Sequence, residues 1–345
     1  MTVRRTHPRR VAAAAAALLC PAALAACQGG NAQTTTAEPT KATSMSGFEN
    51  PVYAANFPDP QVIATEDGYL AIATNGNGMN VQTLTSKDMV RWDQGVDALP
   101  TLPKWSSSGK VWAPEIIRWT DGTWRLHYTT KGPDPQWQCI SVATSKYPQG
   151  PFVDTSSKPL VCESSEGGSI DQSPFIDSSG KAWLYWKNDG NAIGVDTWIR
   201  AQALDATGKA VIGKPTNLLQ QDLPWEGHLV EAPAVVEVDG TFHMFYSGND
   251  FGSDKYAVGH AVATSPTGPF TKDPEPVVVT NDVAAGPGHC QLLKVHGQWW
   301  MVYHAWEPGA VGDEATGRQM WLSKVTFAGR QATVEPPTRQ HPQLP

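Results

Sequence analysis

Along most of the chain apolar and polar residues alternate with a period of two, and few segments carry the three-to-four spacing of an amphipathic helix. Five alternating segments open on a turn glycine followed by an aromatic: Asp67-Gly68-Tyr69-Leu70, Asp121-Gly122-Thr123-Trp124, Ser179-Gly180-Lys181-Ala182-Trp183, Asp239-Gly240-Thr241-Phe242 and His296-Gly297-Gln298-Trp299. Their glycines lie 54, 58, 60 and 57 residues apart. Asp-Gly between two alternating runs marks a tight β-hairpin, because glycine accepts the positive φ of the turn. The runs that follow, such as Trp124-Arg125-Leu126-His127-Tyr128 and Phe242-His243-Met244-Phe245-Tyr246, read as strands. Further on, Ala143-Thr144-Ser145 leads to Gly150-Pro151-Phe152, and Ala263-Thr264-Ser265 to Gly268-Pro269-Phe270, the mark of an outer strand and its turn. Each repeat has room for four short strands. Five copies predict an all-β, five-bladed β-propeller, a single domain over residues 47–345. A β-sandwich is the alternative, but it has no reason to repeat a glycine-aromatic unit five times.

The first 46 residues break the pattern. Arg4, Arg5, Arg9 and Arg10 precede an apolar run from Val11 to Ala26 that is too short for a membrane span and ends in Leu24-Ala25-Ala26-Cys27. This tetrapeptide resembles a bacterial lipoprotein signal. Residues 1–26 are therefore expected to be a cleaved signal peptide and Cys27 the lipidated residue, with an ordinary secretory peptide as the alternative. Residues 27–46, rich in Thr, Ala, Ser and Gly, read as a disordered tether. The expected location is outside the cytoplasm, anchored to the bacterial membrane by lipid or secreted.

Loss of residues 1–26 removes four arginines and no acid, leaving 22 basic against 33 acidic residues and a net charge of −11. A nucleic-acid partner is excluded by the missing basic footprint, and a monomer is expected. Of the five cysteines, Cys139, Cys162 and Cys290 remain in the domain. Three thiols cannot all pair. Cys139 and Cys162, 23 residues apart, are expected to form a disulfide in an oxidising exterior, leaving Cys290 free and buried. The spacing fits no zinc site.

In a propeller the innermost strand of each blade lines a central channel, so residues shortly before each repeat glycine are expected to point at the axis. Counting back gives Asp59, Glu115, Asp171, Glu231 and His289, seven to nine residues before their glycines. Ionisable groups crowded on one axis shift each other's pKa values, which is costly unless the cluster serves chemistry or a cation. Prolines beside Asp59 and near Glu231 stiffen the backbone there.

The motifs Asn56-Phe57-Pro58-Asp59-Pro60, Trp112-Ala113-Pro114-Glu115, Ile170-Asp171, Val230-Glu231-Ala232-Pro233 and Gly286-Pro287-Gly288-His289 together resemble glycoside hydrolase family 43, over nearly all of residues 50–330. The resemblance implies Asp59 as general base, Glu231 as general acid and Asp171 as the carboxylate that tunes and orients the acid. Inverting hydrolysis by such a pair needs carboxyls about 6.5–9.5 Å apart with water between base and sugar. A like charge on Asp171 is expected to keep Glu231 protonated. The resemblance also implies sugar contacts for Glu115, which is one methylene longer than the family's common aspartate, for His289, and for Arg318, whose alternative is a surface ion pair. In some members the channel histidine helps to hold calcium or an ordered water, so His289 is the candidate for a calcium contact through water; no cofactor is required for the chemistry.

Family substrates are mostly α-L-arabinofuranosides and β-D-xylosides of plant cell walls. The chain ends soon after the fifth repeat, where many xylosidases carry a further β-sandwich, and this shifts the expectation toward an arabinofuranosidase acting on arabinose-containing polysaccharide or oligosaccharide. A β-xylosidase and a non-catalytic glycan-binding lipoprotein are the alternatives, followed by a retaining fructan-active enzyme. The 14 tryptophans divide accordingly. Trp124, Trp183, Trp299 and Trp300 follow repeat glycines and are expected between blades, whereas Trp112, Trp225 and Trp306 lie near channel motifs, where an indole can stack on a sugar. Trp112 is the first choice.

Overall fold

The computed structural model describes residues 47–345 except Pro135; the signal peptide, the tether and Cys27 lie outside the described residues. Five antiparallel sheets follow one another along the chain, each in simple up-and-down order, as the blades of a propeller. Their innermost strands are Gln61–Thr65, Ser107–Arg118, Ser169–Ile176, Val230–Val238 and Ala285–Val295. Blades 1, 3, 4 and 5 have four strands; blade 2 has three, with a single bridge from Thr144 to Val153 where a fourth would run. The described residues contain three short 3-10 turns and no α-helix.

The repeat glycines turn the chain between the first and second strands of each blade. At Gly240 and Gly297, φ is 75° and 86°, and the preceding Asp239 and His296 are also left-handed, so these are tight turns that need glycine for its backbone. All five turns lie at one face of the disc. The second strand then carries the chain back to the opposite face, where the next blade begins.

The alternation in the second strands does not separate core from solvent. Strand Trp124–Lys131 is buried on both faces, because every blade is covered by two others. Its polar members bind the next blade instead: Arg125 Nε donates to Thr207 O at 2.8 Å, and His127 Nε2 lies 3.2 Å from Gly208 O. Five apolar clusters fill the five contacts between neighbouring blades. Trp124, Trp183, Trp299 and Trp300 each join one of them. Trp225 packs on Tyr246 between blades 3 and 4, and Trp306 is buried. Neither is an open stacking surface.

The ring closes between blade 5 and blade 1 through packing and an amino-terminal strap. Phe48–Glu49 pairs with Gln340–His341, the Asn50 side chain bonds both backbone groups of Leu322, and Phe57 N–H donates to Arg318 O at 2.8 Å. The strap therefore sets Asp59, two residues on, beside Arg318. Cys139 and Cys162 form a disulfide, and Cys290 is free and buried.

Candidate active site

At the face opposite the hairpins each blade carries one left-handed residue other than glycine, in its innermost strand or, in blade 1, two residues before it: Asp59 (φ 57°), Ala113 (46°), Asp171 (56°), Ala232 (54°) and His289 (47°). In blades 2 to 5 the pairing with the second strand slips at this point, a β-bulge that re-aims side chains toward the channel. Aspartate and histidine tolerate this conformation better than most residues. Alanine does so at a cost of about 1 kcal/mol.

Each bulge needs a partner for its backbone N–H, and the preceding blade supplies it. Ala113 N–H donates to Thr74 Oγ1 (2.7 Å), Asp171 N–H to Thr129 Oγ1 (3.3 Å), His289 N–H to Ser247 Oγ (2.8 Å) and Asp59 N–H to His304 Nδ1 (3.1 Å). The Ala232 N–H goes to a carboxylate, Asp171 Oδ2, at 3.0 Å.

Three carboxyls and His289 converge at this mouth. Asp59 Oδ1 receives Arg318 Nη1 at 2.8 Å, with His304 Nδ1 and His289 Nδ1 at 3.3 and 3.4 Å; Oδ2 receives the Thr74 hydroxyl. Burial alone would push the Asp59 carboxyl up, but Arg318, then His289, outweigh it and hold Asp59 well below the usual carboxylate range. His304 accepts the Asp59 amide at Nδ1, so its proton sits on Nε2. Burial lowers its pKa to about 4 and keeps the ring neutral.

Asp171 behaves in the opposite way. Burial lifts it, His289 at 4.0 Å pulls it down, the Glu231 carboxylate lifts it again, and the balance stands at about 7. Glu231 accepts the Tyr256 hydroxyl at Oε1 (2.8 Å) and the Lys187 ammonium at Oε2 (3.0 Å). The mouth thus combines an anionic carboxylate fixed by cations with a second carboxyl, that of Asp171, that holds its proton to about pH 7. Such a division equips one group to take a proton and another to give one.

The other expected residues take distinct places. Arg318 is ion-paired with Asp59, and the half-exposed Phe251 ring lies 4.7 Å from its guanidinium. Trp112 is half-buried and occupies in blade 2 the slot that Glu231 fills in blade 4, immediately before the left-handed residue. Glu115 does not share the first ring. It sits two residues past the bulge, one step deeper, where Ser173 Oγ donates to Oε2 at 3.1 Å and Gln291 Nε2 donates to Oε1. Burial there raises its pKa well above the ordinary value. Counting back from the glycines put it level with the others because it takes the acid seven residues before Gly122, whereas the left-handed position lies nine before it; the blade 2 counterpart of Asp59 and Asp171 is Ala113.

Lys187, Tyr256 and His304 escaped the sequence reading. They come from second strands and a loop, whose partners only the closed ring reveals. No three His, Cys, Asp or Glu side chains among the described residues converge as a metal ion would need. His289 faces the Asp59 and Asp171 carboxyl groups, at 3.4 and 4.0 Å, and no step below uses a metal ion.

The sequence model of glycosyl hydrolases family 43 matches residues 48–330. A β-D-galactofuranosidase of Aspergillus niger is 27% identical over 277 residues, covering 76% of this chain and 77% of the relative. A β-xylosidase of Bacillus subtilis is 27% identical over 273 residues, 74% of this chain and 49% of the relative. Among solved structures, a thermostable family-43 glycoside hydrolase superposes with a TM-score of 0.78 at 27% identity, covering 85% of this chain and 97% of that one.

Proposed function

Since the chain belongs to glycosyl hydrolases family 43 and hydrolyses O-glycosyl bonds, we propose that it removes α-L-arabinofuranosyl residues from plant cell-wall polysaccharide or oligosaccharide, with inversion at the anomeric carbon. Asp59 acts as general base: its carboxylate takes a proton from water as the water oxygen attacks the anomeric carbon. Glu231 acts as general acid and protonates the departing oxygen. Asp171 holds its proton to about pH 7, so the mouth keeps an acidic proton at the pH where Asp59 is ionised. The observation that carries this reading is the opposed setting of two carboxyls at one mouth, Asp59 held down by Arg318 and Asp171 held at about 7. Trp112 and Phe251 offer apolar faces to the sugar.

The arabinofuranoside is favoured because β-D-galactofuranose, named for the Aspergillus relative, has the ring configuration of α-L-arabinofuranose and differs in its exocyclic arm. A β-xyloside is the second reading, favoured by the likeness to the Bacillus β-xylosidase. Incubation with the 4-nitrophenyl glycosides of α-L-arabinofuranose, β-D-galactofuranose and β-D-xylose separates the readings. Highest kcat/KM on the arabinofuranoside is expected; highest on the xyloside replaces it with the second, and no turnover of any glycoside removes both.

We also place the enzyme outside the cytoplasm, held by a lipid on Cys27, a setting that suits the Cys139–Cys162 disulfide. A Cys27→Ser variant is expected to leave the membrane fraction.

A further inference from the structure

The second-strand position that pairs with the residue just before each bulge is equivalent in all five blades. It is Thr74 in blade 1, Thr129 in blade 2, Lys187 in blade 3, Ser247 in blade 4 and His304 in blade 5. Four of these side chains accept the bulge N–H of the next blade. The fifth cannot, because an ammonium has three donors and no lone pair. Lys187 is fully buried, and its Nζ instead meets Glu231 Oε2 at 3.0 Å, Asn191 Oδ1 at 2.7 Å and Asp189 Oδ1 at 3.8 Å. The amide it leaves unserved, that of Ala232, is the one bonded to Asp171 Oδ2.

One residue therefore accounts for two features of Asp171 and Glu231. A threonine at 187 would take the Ala232 amide, as Thr74 and Thr129 take theirs, and would leave Asp171 free and Glu231 without a cation. A buried cation costs several kcal/mol in desolvation unless it is paired, so its placement here, in the blade next to Glu231, calls for a gain elsewhere. We propose that Lys187 is a positioning residue for the general acid: its ammonium holds the Glu231 carboxyl in place from one side while Tyr256 holds it from the other, and its lack of an acceptor commits the Ala232 amide to Asp171. The proposal rests on the assignment of Glu231 as the acid.

The electrostatic setting gives the sign of a pH effect. Lys187 faces Glu231, Asp171 and Asp189; Asp171 faces His289, Glu231, Lys187 and Asp59. Burial opposes the charge on Lys187, but the three carboxylates more than offset it and the ammonium persists. Among these neighbours Lys187 and His289 draw the proton away from Asp171. Removing the ammonium lets Asp171 keep its proton to higher pH.

The test compares wild type with Lys187→Met and Lys187→Thr on two glycosides of the sugar that the wild type prefers. One carries 2,4-dinitrophenol, which leaves without a proton, and the other a sugar leaving group, which needs one. Both variants are expected to lose about tenfold or more in kcat on the disaccharide and less than about twofold on the dinitrophenyl glycoside, with the basic limb of kcat/KM moved to higher pH. Equal losses on both substrates with an unmoved pH profile would reduce Lys187 to a structural residue and overturn the proposal, as would full activity on the disaccharide. If Lys187→Met does not fold, by circular dichroism, Lys187→Thr decides alone, because threonine restores the acceptor used in blades 1 and 2. Failure of the wild type to cleave either glycoside refutes the assigned function, whereas the contrast between leaving groups among the variants refutes only the role of Lys187.

Discussion

The two ends of the five innermost strands obey different rules. At the hairpin end, left-handed backbone falls on the turn glycines, as at Gly240 and Gly297, where a Cβ would meet nothing within 4 Å and only the dihedral matters, and on the exposed Asp239 and His296 before them. At the mouth, left-handed backbone falls on Asp59, Asp171 and His289, whose buried side chains meet, with His289 3.4 Å from Asp59 and 4.0 Å from Asp171, and on two alanines. A hairpin keeps such residues in water, where only the turn depends on them. The mouth buries them together, and backbone strain concentrated where ionisable groups meet is a mark of functional sites.

Substitutions at the two ends should accordingly fail in different ways. The largest effect is expected for Asp59→Asn, which keeps the size and left-handed tolerance of aspartate but cannot take a proton: kcat/KM should fall about 10³-fold on every glycoside while the circular dichroism spectrum stays that of the wild type. Next, Glu231→Ala should lose about 10³-fold in kcat on a disaccharide and about tenfold or less on a 2,4-dinitrophenyl glycoside, which steady-state kinetics on the two substrates will show. Equal losses would deny Glu231 the role of acid.

A smaller effect concerns stability and comes from Asp171. Its proton is released near the ordinary value of 3.8 in the unfolded chain but at about 7 in the folded one. The folded state therefore binds that proton more tightly; the stabilisation is complete below about pH 4 and is lost as the pH rises through 7. Asp171→Asn does not titrate, so the melting temperature of the variant relative to wild type should be higher at pH 8 than at pH 4, by thermal denaturation at both. The smallest effect belongs to the hairpin end. Gly240→Ala forces a left-handed alanine at φ 75° and should cost about 1 kcal/mol, roughly 2 °C in Tm, with kcat/KM unchanged.

The same contrast explains what could be read in advance. A hairpin is a local event, so the glycine repeat disclosed five blades, and Trp124, Trp183, Trp299 and Trp300 could be placed between blades from their distance to a turn. Asp59, Asp171 and His289 were legible because the bulge falls at a nearly constant distance from that turn. Glu115 is the exception: in blade 2 the left-handed position nine residues before the glycine is Ala113, and Glu115 lies on the turn side of the bulge, one alternation deeper. Lys187, Tyr256 and His304 gave no signal along the chain: Lys187 occupies an alternating strand position like that of Thr129, and only the register between blades tells an acceptor slot from a cation. Arg125 and His127 taught a related lesson, since polar alternation in a blade points at the neighbouring blade as readily as at water.

Division of labour between Asp59 and Glu231 at the mouth is best examined through the stereochemistry of the product. The wild-type enzyme is mixed with its preferred aryl glycoside, and the first-formed sugar is followed by proton NMR before mutarotation. A base acting through water delivers the anomer opposite to the substrate, so β-L-arabinofuranose is expected from an α-L-arabinofuranoside. First appearance of the α anomer would mean a covalent intermediate and would contradict the assignment of Asp59 as a general base.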